Sequence, residues 1–415
     1  VEDLRALVQP AVAGATRYDP GPTLEELSSR FGVTGLVKLN WNESLFPPLP
    51  GVEEAIGRER ERIWMYPEQA YANLRAALGA WLGVEPGAIV PAHGIQALVG
   101  SVAQVFLSPS DLVVTARPTY GLYRQVVRAV GATLVEVPVD SSFGLDLPAM
   151  AQAARDRGAS MVIVCDPNNP TGRTVGAGAW QDFLDALPPR CVVVVDEAYI
   201  DFLAMPQRDA RVVDVLAGAP VVLLRTFSKL FGLAGLRLGY AVVHPGLADC
   251  FDAVQEPFNL NRAALAAGLA ALAAPDAVEA RRQEVVSCRT RLEEGLAAAG
   301  FAVVPSDANF VLVGLDGAAS GGGRSREERV TSDTDFAAAM IRRGLVPRAG
   351  SEFGLAGWLR ITVGPAAVVD RVLDAMVEAR AELDRAHPDR ADLDRADLDR
   401  ADLDRPSRAS APGTA

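Results

Sequence analysis

The 415 residues contain two lysines, Lys38 and Lys229, so 38 of the 40 basic side chains are arginine. Lys229 follows an apolar, β-branched run that ends at Arg225. It stands beside two hydroxyl residues, Thr226 and Ser228, with Arg237 eight residues on. A lysine behind a buried strand loses hydration, which lowers the pKa of its ammonium, and the neutral amine condenses with an aldehyde to a Schiff base. The hydroxyls and the guanidinium suit a phosphate, so the stretch points to a ligand carrying both groups. A surface lysine in a loop is the plain alternative, which this stretch alone leaves open.

Two further clusters favour the chemistry. Asp-Pro-Asn-Asn-Pro-Thr-Gly, residues 166–172, follows the apolar run 161–165, and Asp-Glu-Ala-Tyr, residues 196–199, closes the run 192–196. Both fall at the carboxyl ends of strands, where open α/β sheets bind their ligands. Asp196 there can pair with a protonated ring nitrogen, and Tyr199 can donate to a phenolate oxygen. Each cluster alone reads as a turn and a helix cap; their common order and placement do not arise readily by chance.

The elements that must hold these groups are legible as alternation. Short β-branched runs at 112–116, 133–137, 161–165, 192–196 and 221–225 alternate with helical patterns, which predicts an α/β large domain with a mostly parallel sheet covered by helices. Beyond Asn261 an Ala-rich helix, a helix over 281–300, strands near 301–304 and 309–313, a helix near 335–343 and a strand at 359–363 predict a smaller α+β domain. The expected division is an N-terminal arm (1–50), a large cofactor-binding domain (51–265), a small C-terminal domain (266–383) and a repeat tail (384–415). The Gly-, Ser- and charge-rich stretch 316–333 reads as a mobile loop. In the tail, Ala-Asp-Leu-Asp-Arg occurs three times in tandem. A five-residue period advances about 500° around a helix, so Leu393, Leu398 and Leu403 share no face and the tail reads as solvated and disordered.

These motifs, with Pro-Thr-Tyr at 118–120, Ser-Lys-Leu-Phe-Gly-Leu-Ala-Gly-Leu-Arg-Leu-Gly at 228–239, Ala-Asn-Phe-Val-Leu-Val at 308–313 and Leu-Arg-Ile-Thr-Val-Gly at 359–364, resemble the fold type I pyridoxal-phosphate aminotransferases of class I and II. Within them the chain is most similar to the histidinol-phosphate aminotransferase group, from about Tyr18 to Leu383. The resemblance implies pyridoxal 5'-phosphate as cofactor, with Lys229 as its Schiff-base partner and the carrier of the proton from the substrate Cα. It implies that Asp196 keeps the ring nitrogen protonated, that Tyr199 and Asn169 bond the ring oxygen, and that Tyr120 stacks on the ring. Thr226, Ser228 and Arg237 would bind the phosphate, together with the backbone of Gly94, Ile95 and Gln96 at a helix N-terminus. Tyr66 would reach the phosphate of a neighbouring subunit, making a homodimer. Arg360 would grip the substrate carboxylate, Arg348 an anionic group at its distal end, and Asn169 would touch substrate as well.

Two segments depart from the family's pattern. Asn-Glu-Ser-Leu-Phe-Pro-Pro, residues 42–48, carries Phe46 where a hydroxyl-bearing tyrosine is common, which points to an apolar contact with the distal part of the substrate. Ala-His-Gly-Ile-Gln-Ala, residues 92–97, brings His93 and Gln96 near the cofactor, and His93 is either an additional acid or base or a packed residue. The expected reaction is amino transfer between an amino-acid donor and a keto substrate, in histidine or other amino-acid biosynthesis, with histidinol phosphate as first-ranked substrate. Elimination, cyclisation or decarboxylation on the same cofactor, and a non-catalytic regulatory protein, are the alternatives.

Composition narrows the setting. A formal charge of −12 argues against nucleic acid, whose backbone needs clustered cations. Apolar runs fall short of the ~18 residues of a membrane span, and the start lacks the pattern of a signal peptide. Four scattered cysteines without a Cys-x-x-Cys pair suggest no metal site and fit a reducing cytoplasm.

Overall fold

The computed structural model describes residues 4–13, 21–205, 207–315 and 326–386. In chain order its strands are β1 (Val37–Lys38), β2 (Ile89–Ala92), β3 (Leu112–Arg117), β4 (Thr133–Pro138), β5 (Met161–Cys165), β6 (Val192–Asp196), β7 (Val221–Thr226), β8 (Gly239–Val242), β9 (Ala302–Val304), β10 (Phe310–Gly314), β11 (Leu345–Val346), β12 (Arg348–Ala349) and β13 (Trp358–Thr362). The large sheet has the order β2-β8-β7-β6-β5-β3-β4. All neighbours in it are parallel except β8, which runs against both β2 and β7.

The apolar runs become strands because both faces of this sheet are covered. Val193 and Val195 join one core with Trp180 and Phe183, while Val194 joins the opposite core with Tyr123, Val127 and Phe251. Each such side chain, taken fully from water, contributes about 1.5–3 kcal/mol. Alternation along a strand then fixes the site: Asp196, two residues after Val194, continues the face on which Tyr123 packs.

The smaller unit is an antiparallel sheet in the order β12-β13-β10-β9. The N-terminal segment carries the helix Leu24–Phe31, whose first turn is closed by a capping box. Thr23 Oγ1 accepts from the Glu26 amide at 3.2 Å, and the Thr23 amide donates to Glu26 Oε2 at 2.7 Å. The same segment then supplies β1, which pairs with β11 in parallel.

Three expectations change. The helix expected over 281–300 spans Pro275–Ala298, starting six residues earlier on a proline whose missing N–H costs nothing in a first turn. The stretch read as a loop over 316–333 is helical from Arg326, within the helix Arg326–Arg342, and residues 316–325 lie outside the described residues. Its run of Arg and Glu has good helix propensity, and Asp333 is buried, accepting from the Ser351 amide at 2.6 Å. The last helix, Ala366–Ala386, extends past the expected start of the tail, while the tandem repeats lie outside the described residues. Among the described residues, no single helix is long and apolar enough to cross a membrane.

Candidate active site

The carboxyl ends of β5, β6 and β7 open into a cavity of about 1050 Å³. Its lining includes Ile95, Gln96, Tyr120, Asn169, Asp196, Tyr199, Thr226, Ser228, Lys229, Arg237, Arg348 and Arg360, so one space gathers nearly all the residues picked out from separate motifs. Strand-end loops do this because parallel strands deliver their C-termini to one edge of the sheet.

Lys229 Nζ donates to two backbone carbonyls of the N-terminal segment, Trp41 O at 3.1 Å and Asn42 O at 3.0 Å. Burial lowers its pKa to about 7, and the positive charge of Arg360 acts in the same direction. The amine is therefore substantially neutral near pH 7 and able to act as a nucleophile. Asp196 is 2% exposed. Burial pushes its carboxyl up to about 6, against the opposing pull of hydrogen bonds from Tyr123 and the Ala198 amide. Tyr199 receives Asn42 Nδ2 at 2.9 Å and Asn169 Nδ2 at 3.4 Å on its hydroxyl, and burial raises its pKa above the ordinary tyrosine value.

A second group of polar atoms forms an anion cradle. The Thr226 hydroxyl lies 3.0 Å from that of Ser228 and accepts from the Ser228 amide at 3.0 Å. Arg237 Nη2 donates to Gln96 Oε1 at 3.3 Å, and Gln96 Nε2 donates to Tyr120 Oη at 3.0 Å. The helix Gly94–Phe106 points its N-terminus here, with unpaired amides and the positive end of its dipole. Gly94 sits at φ +77°, a left-handed conformation that favours glycine, and a Cβ there would stand 2.8 Å from Arg237 Nη2 and displace the guanidinium from the helix end.

On the opposite wall, Arg360 donates from Nη1 to Asn169 Oδ1 at 2.5 Å and from Nη2 to the Asn40 carbonyl. Arg348 pairs with Glu352 at 3.1 Å, and both line the cavity. Trp41, Phe353 and Leu355 supply apolar surface beside them.

Three expected or candidate residues lie elsewhere. Phe46 is not among the cavity lining. It packs against the main core beneath Arg281, 5.2 Å from the guanidinium carbon, in the space filled by the early turns of the helix Pro275–Ala298. Tyr66 is 77% exposed and stacks on Phe258 at 4.7 Å, outside its own chain's cavity. His93 caps the end of the helix Gly94–Phe106 without a side-chain cap bond and does not line the cavity. Sequence reasoning in turn missed Asn42, Tyr123 and Glu352. Asn42 and Tyr123 meet partners 157 and 73 residues away, which no local pattern reports. Glu352 carried one usable signal, an acidic side chain four residues after Arg348.

Comparison with known proteins bears on this geometry. A family model described as "Aminotransferase class I and II" matches residues 34–376. The histidinol-phosphate aminotransferase of Moorella thermoacetica is 34% identical over 355 residues, covering 85% of this chain and 88% of its own length. An aromatic amino acid aminotransferase of Mycobacterium bovis is 39% identical over 315 residues, covering 75% and 86%. The crystal structure of histidinol-phosphate aminotransferase from Sinorhizobium meliloti in complex with pyridoxal-5'-phosphate superposes with a TM-score of 0.80 at 29% identity, covering 91% of this chain and 98% of that one.

Proposed function

The chain belongs to the class I and II aminotransferases, which use pyridoxal 5'-phosphate, and on that premise we propose that it moves an amino group between histidinol phosphate and a 2-oxo acid. The observation that carries the substrate is the presence of two guanidiniums, Arg348 and Arg360, on directly paired strands and in one cavity, a setting for a phosphate or carboxylate.

The residues present fit the cofactor. Near-neutral Lys229 suits its aldehyde and buried Asp196 its ring nitrogen, while the cradle of Thr226, Ser228, Arg237 and the glycine-started helix end suits its phosphate. When bound, the cofactor supplies an aldehyde that exchanges for the amino group and a ring that draws electrons from the substrate Cα.

The chain's own groups account for the rest. Lys229 Nζ takes the Cα proton and returns it on the other side of the transfer. Asp196 would hold a proton at the ring nitrogen, and Tyr199 with Asn169 would hydrogen-bond the ring oxygen. Tyr120 would cover the ring, and Arg360 would orient the anionic end of the substrate. The reading includes a homodimer in which Tyr66 crosses to the neighbouring site, supported by the exposed apolar run Ile63, Trp64, Met65 and Tyr66. It includes a cytoplasmic setting, supported by four free cysteines.

Aromatic amino acids are the second reading. Trp41, Phe353 and Leu355 favour it by offering apolar contact, and Glu352 does so by neutralising Arg348. The test is single-turnover absorbance of the loaded enzyme with histidinol phosphate, phenylalanine and glutamate. Histidinol phosphate is expected to give the highest kcat/KM, at least tenfold above phenylalanine. The opposite order replaces it with an aromatic substrate.

A further inference from the structure

We propose that Tyr123 is a positioning residue for the cofactor's ring nitrogen, acting through Asp196, whose carboxylate it orients and keeps in its ionised form. The inference rests on the reading above in that Asp196 is taken to face the ring.

The phenol of Tyr123 donates to Asp196 Oδ2 at 2.6 Å, and the Ala198 amide donates to Oδ1 at 3.0 Å. Each carboxylate oxygen therefore has one fixed donor, and the plane of the group is set before any ligand arrives. Tyr123 itself is held without slack. It is fully buried in the core layer beneath the sheet, and the ring of Tyr120 meets it edge to face at 5.6 Å. Both aromatic residues, three apart, border the cavity, Tyr120 on its wall and the fully buried Tyr123 in its floor behind Asp196.

The surroundings leave the phenol one charged acceptor. The thiol of Cys165, which is the strand partner of Asp196, lies against the phenol as an uncharged neighbour and makes a weak bond to Pro167 O at 3.5 Å. Glu197 turns away to Arg211 and Arg225, at 3.1 and 2.8 Å. Lys229 is the cation that faces Asp196, and Tyr199 and Asp166 complete the titratable groups around the pocket floor. A hydrogen bond to a carboxylate lowers its basicity. Asp196 then leaves the proton on the ring nitrogen instead of taking it, which is the state in which the ring withdraws electrons best. Burial opposes this by favouring the neutral carboxyl, so the phenol acts against a standing bias.

The experiment compares the parent with Tyr123→Phe, which removes the hydroxyl and keeps the ring. The expected results are a cofactor dissociation constant raised at least tenfold, kcat lowered at least fivefold with the substrate KM within threefold, and the acid limb of the kcat–pH profile moved up by about one unit. A second variant carries 3-fluorotyrosine at position 123, whose more acidic phenol donates more strongly, and the acid limb should move the other way. A hydroxyl that only fills space would change the melting temperature of the apoprotein and leave the acid limb of both variants in place. Parental cofactor affinity and an unmoved acid limb in Tyr123→Phe overturn the proposal while the parent still binds pyridoxal phosphate. A parent that binds none overturns the reading beneath it as well.

Discussion

Arg348 and Arg360 are Cα partners across β12 and β13, and both guanidiniums line the same cavity. Two like charges set side by side need compensation, and each finds it differently. Arg360 is held by an uncharged amide oxygen and a backbone carbonyl, whereas Arg348 has a carboxylate, Glu352, of which about half is exposed. Glu352 therefore competes with an incoming anion for Arg348.

From this follows the effect of Glu352→Gln. A half-exposed ion pair is worth about 0.2–1 kcal/mol, so releasing Arg348 should raise kcat/KM for histidinol phosphate by about two- to fivefold. Phenylalanine should stay within twofold. Arg348→Ala should act in the opposite sense on histidinol phosphate, by about tenfold or more, because it removes a charge-assisted hydrogen bond. Steady-state kinetics on the three proteins decide it; unchanged ratios in both variants mean that the arginine does not meet the substrate.

Borohydride reduction of the loaded enzyme, followed by peptide mapping, should put the pyridoxyl group on Lys229. Lys38 is occupied otherwise, 3.0 Å from Glu43 and over the ring of Trp41 at 3.2 Å. A label on Lys38 would remove the assignment.

The pH dependence of loading should follow the amine. With its pKa lowered to about 7, cofactor uptake by the apoprotein should rise about tenfold per pH unit below 7 and level off above it. Stability has a definite sign too. The folded chain releases this proton at a lower pH than the unfolded chain, where it leaves near 10.5, so more protons are bound in the unfolded state between those values. Measured against Lys229→Met, the stability of the apoprotein should therefore rise as pH increases from 7 towards 10.5. A flat difference in urea midpoints over that window contradicts the burial of the amine.

Asp196→Asn should separate folding from chemistry. The amide cannot hold a proton on the ring nitrogen, and kcat should fall at least a hundredfold, about 2.7 kcal/mol of barrier. Burial raises the carboxyl's pKa to about 6, so its ionisation at neutral pH weakens the fold. The apoprotein of the variant should consequently melt no lower than the parent at pH 7.5. Turnover within threefold of the parent would show that the carboxylate does not face the ring.

Gly94→Ala tests the anion cradle. The added methyl would press on Arg237 Nη2 at 2.8 Å, and the left-handed backbone at φ +77° adds about 1–2 kcal/mol of strain for any residue with a Cβ. The cofactor should bind at least tenfold more weakly, with added inorganic phosphate no longer competing for the site. Parental affinity in equilibrium dialysis would place the phosphate elsewhere.

The five long parallel strands could be read from the chain because a strand buried on both faces is written as a continuous β-branched run, as in Val192–Asp196. β2 and β8 escape that pattern: they are four residues each, one with Pro91 and the other starting at Gly239. Residues attached to strand ends, such as Asp196, Asn169 and Lys229, were legible for the same reason, since the strand announces where its last side chain stands. Phe46 was misjudged because its position depends on Arg281, 235 residues on, and on a helix that begins at Pro275. The helical nature of 326–333 was hidden by composition, which here competes with a buried carboxylate at Asp333.

Asn42 links the Lys229 amine and the Tyr199 hydroxyl to the smaller sheet. Its carbonyl receives Lys229 Nζ and Asn309 Nδ2, its amide donates to Thr362 Oγ1, and its side chain donates to Tyr199. The resting amine is therefore engaged by the very segment that joins the two sheets, and any ligand that claims Nζ must first take it from the carbonyls of Trp41 and Asn42. Free-energy linkage makes this relation symmetric: whatever weakens the segment's hold on the amine strengthens loading, and loading weakens the hold by the same amount. The protease sensitivity of the chain around residues 38–48 then becomes a readout of cofactor occupancy, available without any substrate at all.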